Sequence, residues 1–203
     1  MSNSHVRWIP REGRLWLAVT VFTAAAFAGG YHWGKSGESW GSRLTPKVAM
    51  PHRTTSAWEA PPSDNFGIIF RNNAFLYVSL TLGLVTAGLF TLAIYGWGVA
   101  GLGFFLGICA REQVPPRLVF AMAAPHGFLE VLSFAFVGVI GLRVLWIGFE
   151  YLKSGRVILL KGEYAAWAIR ILIGFVLMSM SAAVEAFVTP DVIRSEIRQM
   201  LGR

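Results

Sequence analysis

The chain has 203 residues, of which 55% are hydrophobic and only 14% charged, with a formal net charge of +7. A soluble domain carries about 25% charged residues, so this composition excludes intrinsic disorder, a basic nucleic-acid arm and most soluble enzymes. It defines an integral membrane protein. The 18 Lys and Arg residues fall between apolar runs and form no single stripe; cations placed this way orient spans and meet anionic lipid. Membrane lipid is therefore an expected partner, and nucleic acid is not. The one cysteine, Cys109, excludes an intrachain disulfide and a paired-cysteine metal site and reads as a small packing residue.

The expected fold class is all-α: a polytopic transmembrane helical bundle of about five spans, with a broken or re-entrant region containing Gly and Pro. Residues 1–33 form an N-terminal segment. Arg7, Arg11 and Arg14 precede the apolar run Leu15–Tyr31, which reads as a first span with a cytoplasmic N-terminus and with Tyr31 and Trp33 as interfacial anchors. Ala26-Phe27-Ala28 leaves a second reading open, in which residues 1–28 are a secretory signal. The composition changes at His32. Residues 34–65 read as an extramembrane linker rich in Gly, Ser, Thr and Pro, with Pro61-Pro62 near its end.

Residues 66–190 form the membrane-embedded core. The run Phe66–Ala110 is too long for one crossing of about 20 residues. It divides into an amphipathic lead-in at Phe66–Asn73, a helix from Ala74 to Tyr95, a corner at Gly96-Trp97-Gly98 and a segment through Cys109. That last segment is either a tilted span or a re-entrant half-helix. Its Gly103 and Gly107 stand four apart, the spacing that lets two helix backbones approach closely in lipid. After a polar turn at Arg111–Arg117, Leu118–Leu152 is broken in its first third by Pro125. Lys153, Arg156 and Lys161 then make a basic loop of cytoplasmic type. Tyr164–Val188 is the last span, closed by Thr189-Pro190, and 191–203 is an amphipathic tail.

Ionisable groups in hydrocarbon cost roughly 2.5–3.5 kcal/mol each on insertion scales, so His126, Glu130 and Glu185 need partners or water. His126 and Glu130 are four apart and share a helix face. Glu185 sits among Ala182, Ala183 and Ala186, which let another helix come close. Pro125 and Gly127 flank His126, and a proline there opens the ladder of the preceding turn. With Asn73 these groups make either an ion or proton site or a hydrogen-bonded clamp that fixes helix register. No zinc motif, phosphate loop or nucleophile constellation is present, so no metal, cofactor or catalytic residue is expected. Arg170 reads as a snorkelling residue, Arg143 and Glu150 as an end-of-helix charge pattern, and Ser179 and Ser181 as bonded to their own helix or a neighbour.

Phe70-Arg71-Asn72-Asn73, the glycines of Gly96–Gly107, Pro125-His126-Gly127-Phe128-Leu129-Glu130 and Glu185-Ala186-Phe187-Val188-Thr189-Pro190 follow one another in an order and spacing that resemble the stage II sporulation protein M family. The resemblance covers roughly Phe66 to Pro190. It implies a polytopic membrane protein that anchors a complex with cell-envelope partners. It also implies association with other membrane proteins, an ATPase or transporter complex among them, and it carries no catalytic residues. His126, Glu130, Glu185, Asn72 and Asn73 match its motif positions, and Pro125, Gly127, Thr189 and Pro190 stand in the same motifs. The functional expectation is a non-enzymatic scaffold or accessory subunit of the bacterial inner membrane that forms a homo-oligomer. The alternative is a small transporter or channel subunit using His126, Glu130 and Glu185.

Overall fold

The structure is a computed structural model describing residues 12–36, 62–157, 159 and 162–200. Arg7, Arg11, Lys161 and linker residues 37–61 lie outside these. Among the described residues six helices follow one another: α1 (Glu12–Ser36), α2 (Pro62–Leu82), α3 (Leu89–Arg111), α4 (Pro116–Ser154), α5 (Glu163–Ala183) and α6 (Thr189–Met200). A short 3-10 turn, Gly83–Thr86, separates α2 from α3, and a π-turn, Val184–Val188, joins α5 to α6. The joined pair counts as one crossing, so five helical rods are long and apolar enough to span a bilayer. In hydrocarbon every backbone N–H and C=O must be paired within the chain, which is why the apolar runs become helices. Pro116 starts α4, where a missing amide costs nothing. Gly155 ends it in the left-handed conformation, its amide donating to the Tyr151 carbonyl at 2.7 Å.

Several boundaries differ from the sequence expectation. The residues Phe66–Asn73 are no lead-in but part of the spanning α2, which begins at Pro62 and ends at Leu82 rather than Tyr95. The linker interval is helical at both ends, because α1 runs to Ser36. The corner is not at Gly96-Trp97-Gly98, which lies inside α3. It is at Ala87-Gly88, both with positive φ. A side chain on Gly88 would be strained there and would strike the Gly141 backbone of α4, so this turn is tucked against the bundle. α3 is a full-length span of 23 residues and not a re-entrant half-helix.

Pro125 does not break α4, which runs unbroken for 39 residues. Neighbouring helices re-satisfy backbone groups freed by proline in a packed membrane bundle. Nor does Thr189-Pro190 end the helix, which continues through the π-turn to Met200 as the amphipathic tail. The irregular region exists, but it lies at Gly83–Gly88 and Val184–Val188.

Two contacts organise the bundle. α1 and α3 run parallel with their backbones pressed together. A Cβ on Gly103 or Gly107 would land on the Phe27 or Tyr31 carbonyl of α1, and one on Gly30 or Gly34 would land on the Ala100 or Phe104 carbonyl of α3. α4 and α5 run antiparallel, bridged by Ser133 Oγ donating to the Gly174 carbonyl (2.7 Å) and by the ion pair Arg143–Glu163, whose side chains are 5% and 8% exposed. Arg143 therefore belongs to a buried pair with α5 rather than to a pattern with Glu150. Arg170 pairs with Glu12 of α1. α2 is held to α5 by Tyr77, whose hydroxyl donates to the Ile171 carbonyl at 2.6 Å, and to α3 by Thr91, whose hydroxyl donates to the Leu80 carbonyl at 2.8 Å. Tyr77, Leu80, Tyr95, Val137 and Met178 fill the core between these helices.

Two substitutions test this packing. Gly103→Leu should lower stability in detergent by at least about 1–3 kcal/mol through overpacking, while Gly101→Leu, where a Cβ meets open space, should not; thermal unfolding of the two variants makes the comparison. Glu163→Gln should destabilise by about 3–5 kcal/mol because it strands a buried guanidinium. The double change Arg143→Met/Glu163→Leu should lose less than Glu163→Gln alone.

Candidate functional site: a polar cluster beside a π-turn

The site is built where α2, α4 and the α5–α6 rod meet. Pro190 supplies the local reason for its shape. It has no amide to give the carbonyl of Ala186, four residues back, so the ladder widens by one residue across Val184–Val188 and the Thr189 amide bonds to the Val184 carbonyl instead. The widened turn carries Glu185 and delivers Thr189, 5% exposed, to the face of α4.

Four bonds then tie the elements together. Asn73 Nδ2 of α2 donates to Glu130 Oε1 of α4 at 2.8 Å. Ser181 Oγ of α5 donates to the His126 carbonyl at 3.0 Å. Thr189 Oγ1 donates to the Val184 carbonyl at 3.2 Å and lies 3.4 Å from His126 Nδ1. The last contact brings the imidazole and the hydroxyl together, with the donor set by the tautomer of the ring. Glu185 stands near enough to Glu130 for the two carboxyls to interact electrostatically.

The structure thus brings Asn73, His126, Glu130, Glu185 and Thr189 into one region, with Pro125 and Gly127 on the same stretch of α4. Asn72 is not among them; its side chain is exposed. Gly103 and Gly107 lie apart, in the α1–α3 contact. Ser181 bonds to a neighbouring helix, whereas Ser179 bonds back to Phe175 of its own. Sequence reasoning overlooked three members of the polar and glycine framework: Gly30, Gly34 and Glu163, the partner of Arg143. Gly30 and Gly34 repeat the four-residue spacing of Gly103 and Gly107. That signal was available, although it falls just beyond the small residues that mimic a cleavage site.

Chemically, two interacting carboxyls, one of them bonded to the Asn73 amide, can hold a proton or a cation, or can lock helix register. Among the described residues no three His, Cys, Asp or Glu side chains lie close enough together to hold a metal ion.

These features define a class: a multi-pass α-helical membrane protein with an intramembrane polar clasp. The family model described as Stage II sporulation protein M matches residues 17–190, and the chain belongs to that family. An uncharacterised archaeal protein from Methanocaldococcus jannaschii is 25% identical over 129 residues, covering 63% of this chain and 72% of the relative. No solved structure matches the chain.

If Asn73 and Glu130 act as a clasp, a double-mutant cycle of Asn73→Ala and Glu130→Gln should give a coupling near 0.6 kcal/mol and at most about 1.7 kcal/mol, as interhelical bonds in membranes do. Asn72→Ala should change stability by less than about 0.5 kcal/mol. Both are read from detergent unfolding curves.

Proposed function

We propose that this protein is a non-enzymatic scaffold or accessory subunit of a bacterial inner membrane. In this reading it anchors a membrane or cell-envelope complex, associates with further copies as a homo-oligomer and has a polar clasp that fixes its helix packing. The observation that carries the reading is where the polar groups go. Asn73, Ser181 and Thr189 are spent on bonds that join helices or close a turn, and the large lateral cleft of the bundle is lined by none of His126, Glu130 or Glu185. A catalytic or conducting site needs such groups to face the space that a substrate enters. Membership in a family not known for enzymatic activity agrees with this.

The decisive experiment is affinity purification of the tagged protein from its native membrane in mild detergent, with mass and subunit composition measured on the eluate. A stoichiometric second protein is the expected result. Glu130→Gln and Glu185→Gln should each lower thermal stability or assembly; variants that fold and assemble like the wild type would remove the structural role of the clasp.

One observation favours a second reading, a small transporter or channel subunit. The carboxyls of Glu130 and Glu185 interact at a π-turn, and helix irregularities beside paired ionisable groups occur at transporter substrate sites. This reading expects pH-dependent flux in proteoliposomes that Glu130→Gln abolishes while the protein stays folded. Flux equal to that of empty liposomes sinks it.

A further inference from the structure

The other side of the bundle holds a different feature. Between α1, α3 and the first half of α4 lies an open lateral cleft of about 1010 Å³, walled by apolar side chains such as Phe27, Val99, Leu106, Phe128 and Val131. Of its four hydroxyls, three are bonded within the protein: Thr20 donates to the Trp16 carbonyl (2.9 Å), Thr23 donates to the Val19 carbonyl (2.7 Å), and Tyr95 is bonded to Thr23; the fourth belongs to Tyr31. A wall that is mostly apolar, with most of its hydroxyls already bonded, suits hydrocarbon rather than water or a polar helix.

The dimensions accommodate acyl chains. The cleft follows α1 from Trp16 to Tyr31 and α3 from Tyr95 to Ala110, a length of ~22 Å at 1.5 Å per residue. One leaflet contributes chains about 15 Å deep, half of a hydrocarbon core near 30 Å, and the cleft is longer than that.

Charge selects the headgroup. Among the described residues of α1, α3 and α4, the end where α1 and α3 finish and α4 begins carries Lys35, Arg111 and Arg117 and the carboxylate of Glu112, which is paired with Arg111 at 2.9 Å; α6, packed on α4, adds Arg194 and Arg198 together with Asp191 and Glu196. The Lys35 ammonium lies 6.0 Å from the centre of the Tyr31 ring, part of the cleft wall. Cations near a membrane surface attract anionic headgroups. We propose that this cleft is a binding site for an anionic phospholipid, its acyl chains lying between α1, α3 and α4 and its phosphate held by Lys35 and Arg117. The inference stands apart from the scaffold reading, because neither the clasp nor a protein partner enters it.

Gly127 offers a test. It lines the cleft, and a Cβ there meets nothing within 4 Å, so Gly127→Leu starts its side chain into open space in the cleft and improves helix propensity. Wild type, Gly127→Leu, Ala124→Phe and Lys35→Gln/Arg117→Gln are purified in mild detergent. Native mass spectrometry then counts retained lipid after titration with phosphatidylglycerol or phosphatidylcholine, with monodispersity and the unfolding midpoint confirming the fold. The expected result is one or two phosphatidylglycerol molecules on the wild type, held at least tenfold more tightly than phosphatidylcholine. Both cleft-filling variants should lose them, and the double charge variant should keep lipid but lose the preference. Equal retention by a folded Gly127→Leu or Ala124→Phe protein, or equal affinity of the wild type for the two lipids, overturns the proposal. So does a loss of dimer rather than of lipid in the cleft-filling variants, which would make the cleft an interface between copies.

Discussion

The antiparallel seam between α4 and α5 is the constraint on which the rest of the bundle depends. Three polar bridges cross it, Arg143–Glu163, Ser133 to Gly174 and Ser181 to the His126 carbonyl. The residue numbers of the three pairs sum to nearly the same value, so one register holds along the whole seam. In lipid a polar group that loses its partner finds no water in exchange. A slip of one residue would therefore unmake all three bridges together. Gly174 sits at the middle of this seam because it must. A Cβ there would crowd both the Tyr77 hydroxyl and the Ser133 carbonyl, and α2 meets α4 and α5 at that point.

The polar cluster inherits its geometry from the seam. Once His126 is pinned to Ser181, Glu130 lies one turn further along α4, opposite Asn73. The extra residue of the π-turn then rotates Thr189 onto the imidazole. Asparagine, histidine and threonine each answer to a different helix, so the cluster reports on the positions of α2, α4 and the α5–α6 rod at once. The opposite face follows another rule. There α1 and α3 are held by backbone proximity, by the Thr23–Tyr95 hydroxyl contact and by ring contacts such as Phe22–Tyr95, and beside them lies an apolar cleft bounded by α4.

Much of the architecture could be read from the sequence because hydrocarbon thickness fixes the length of a span and the cost of buried charge marks the polar positions. The five crossings and the grouping of His126, Glu130 and Glu185 near Asn73 came from those two rules. Glycine and proline were less reliable guides. Gly96-Trp97-Gly98 looked like a corner, but glycine inside a membrane helix serves close packing as readily as turning. The true turn needed left-handed residues at Ala87 and Gly88, and nothing in their apolar surroundings announced it. Pro125 and Pro190 looked alike and behave differently. α4 absorbs the first without interruption, while the second opens a π-turn. Asn72 and Asn73 could not be told apart by spacing, and only the direction of the helix face separates the exposed one from the one that bonds Glu130. Arg143 looked terminal because its partner Glu163 lies across the loop and outside any local window.

The parallel contact between α1 and α3 has a consequence for how the protein is made. Gly30 meets Ala100, so the first helix finds its partner only after about 70 more residues have been added. At a synthesis rate of roughly 5–20 residues per second, α1 resides in the membrane for about 4–14 s with its glycine face bare. Over that interval α2 must enter, turn and return α3 in the same direction as α1 before the two backbones can close. The helix that is synthesised first is thus packed late, and the order of assembly is written into the spacing of four glycines.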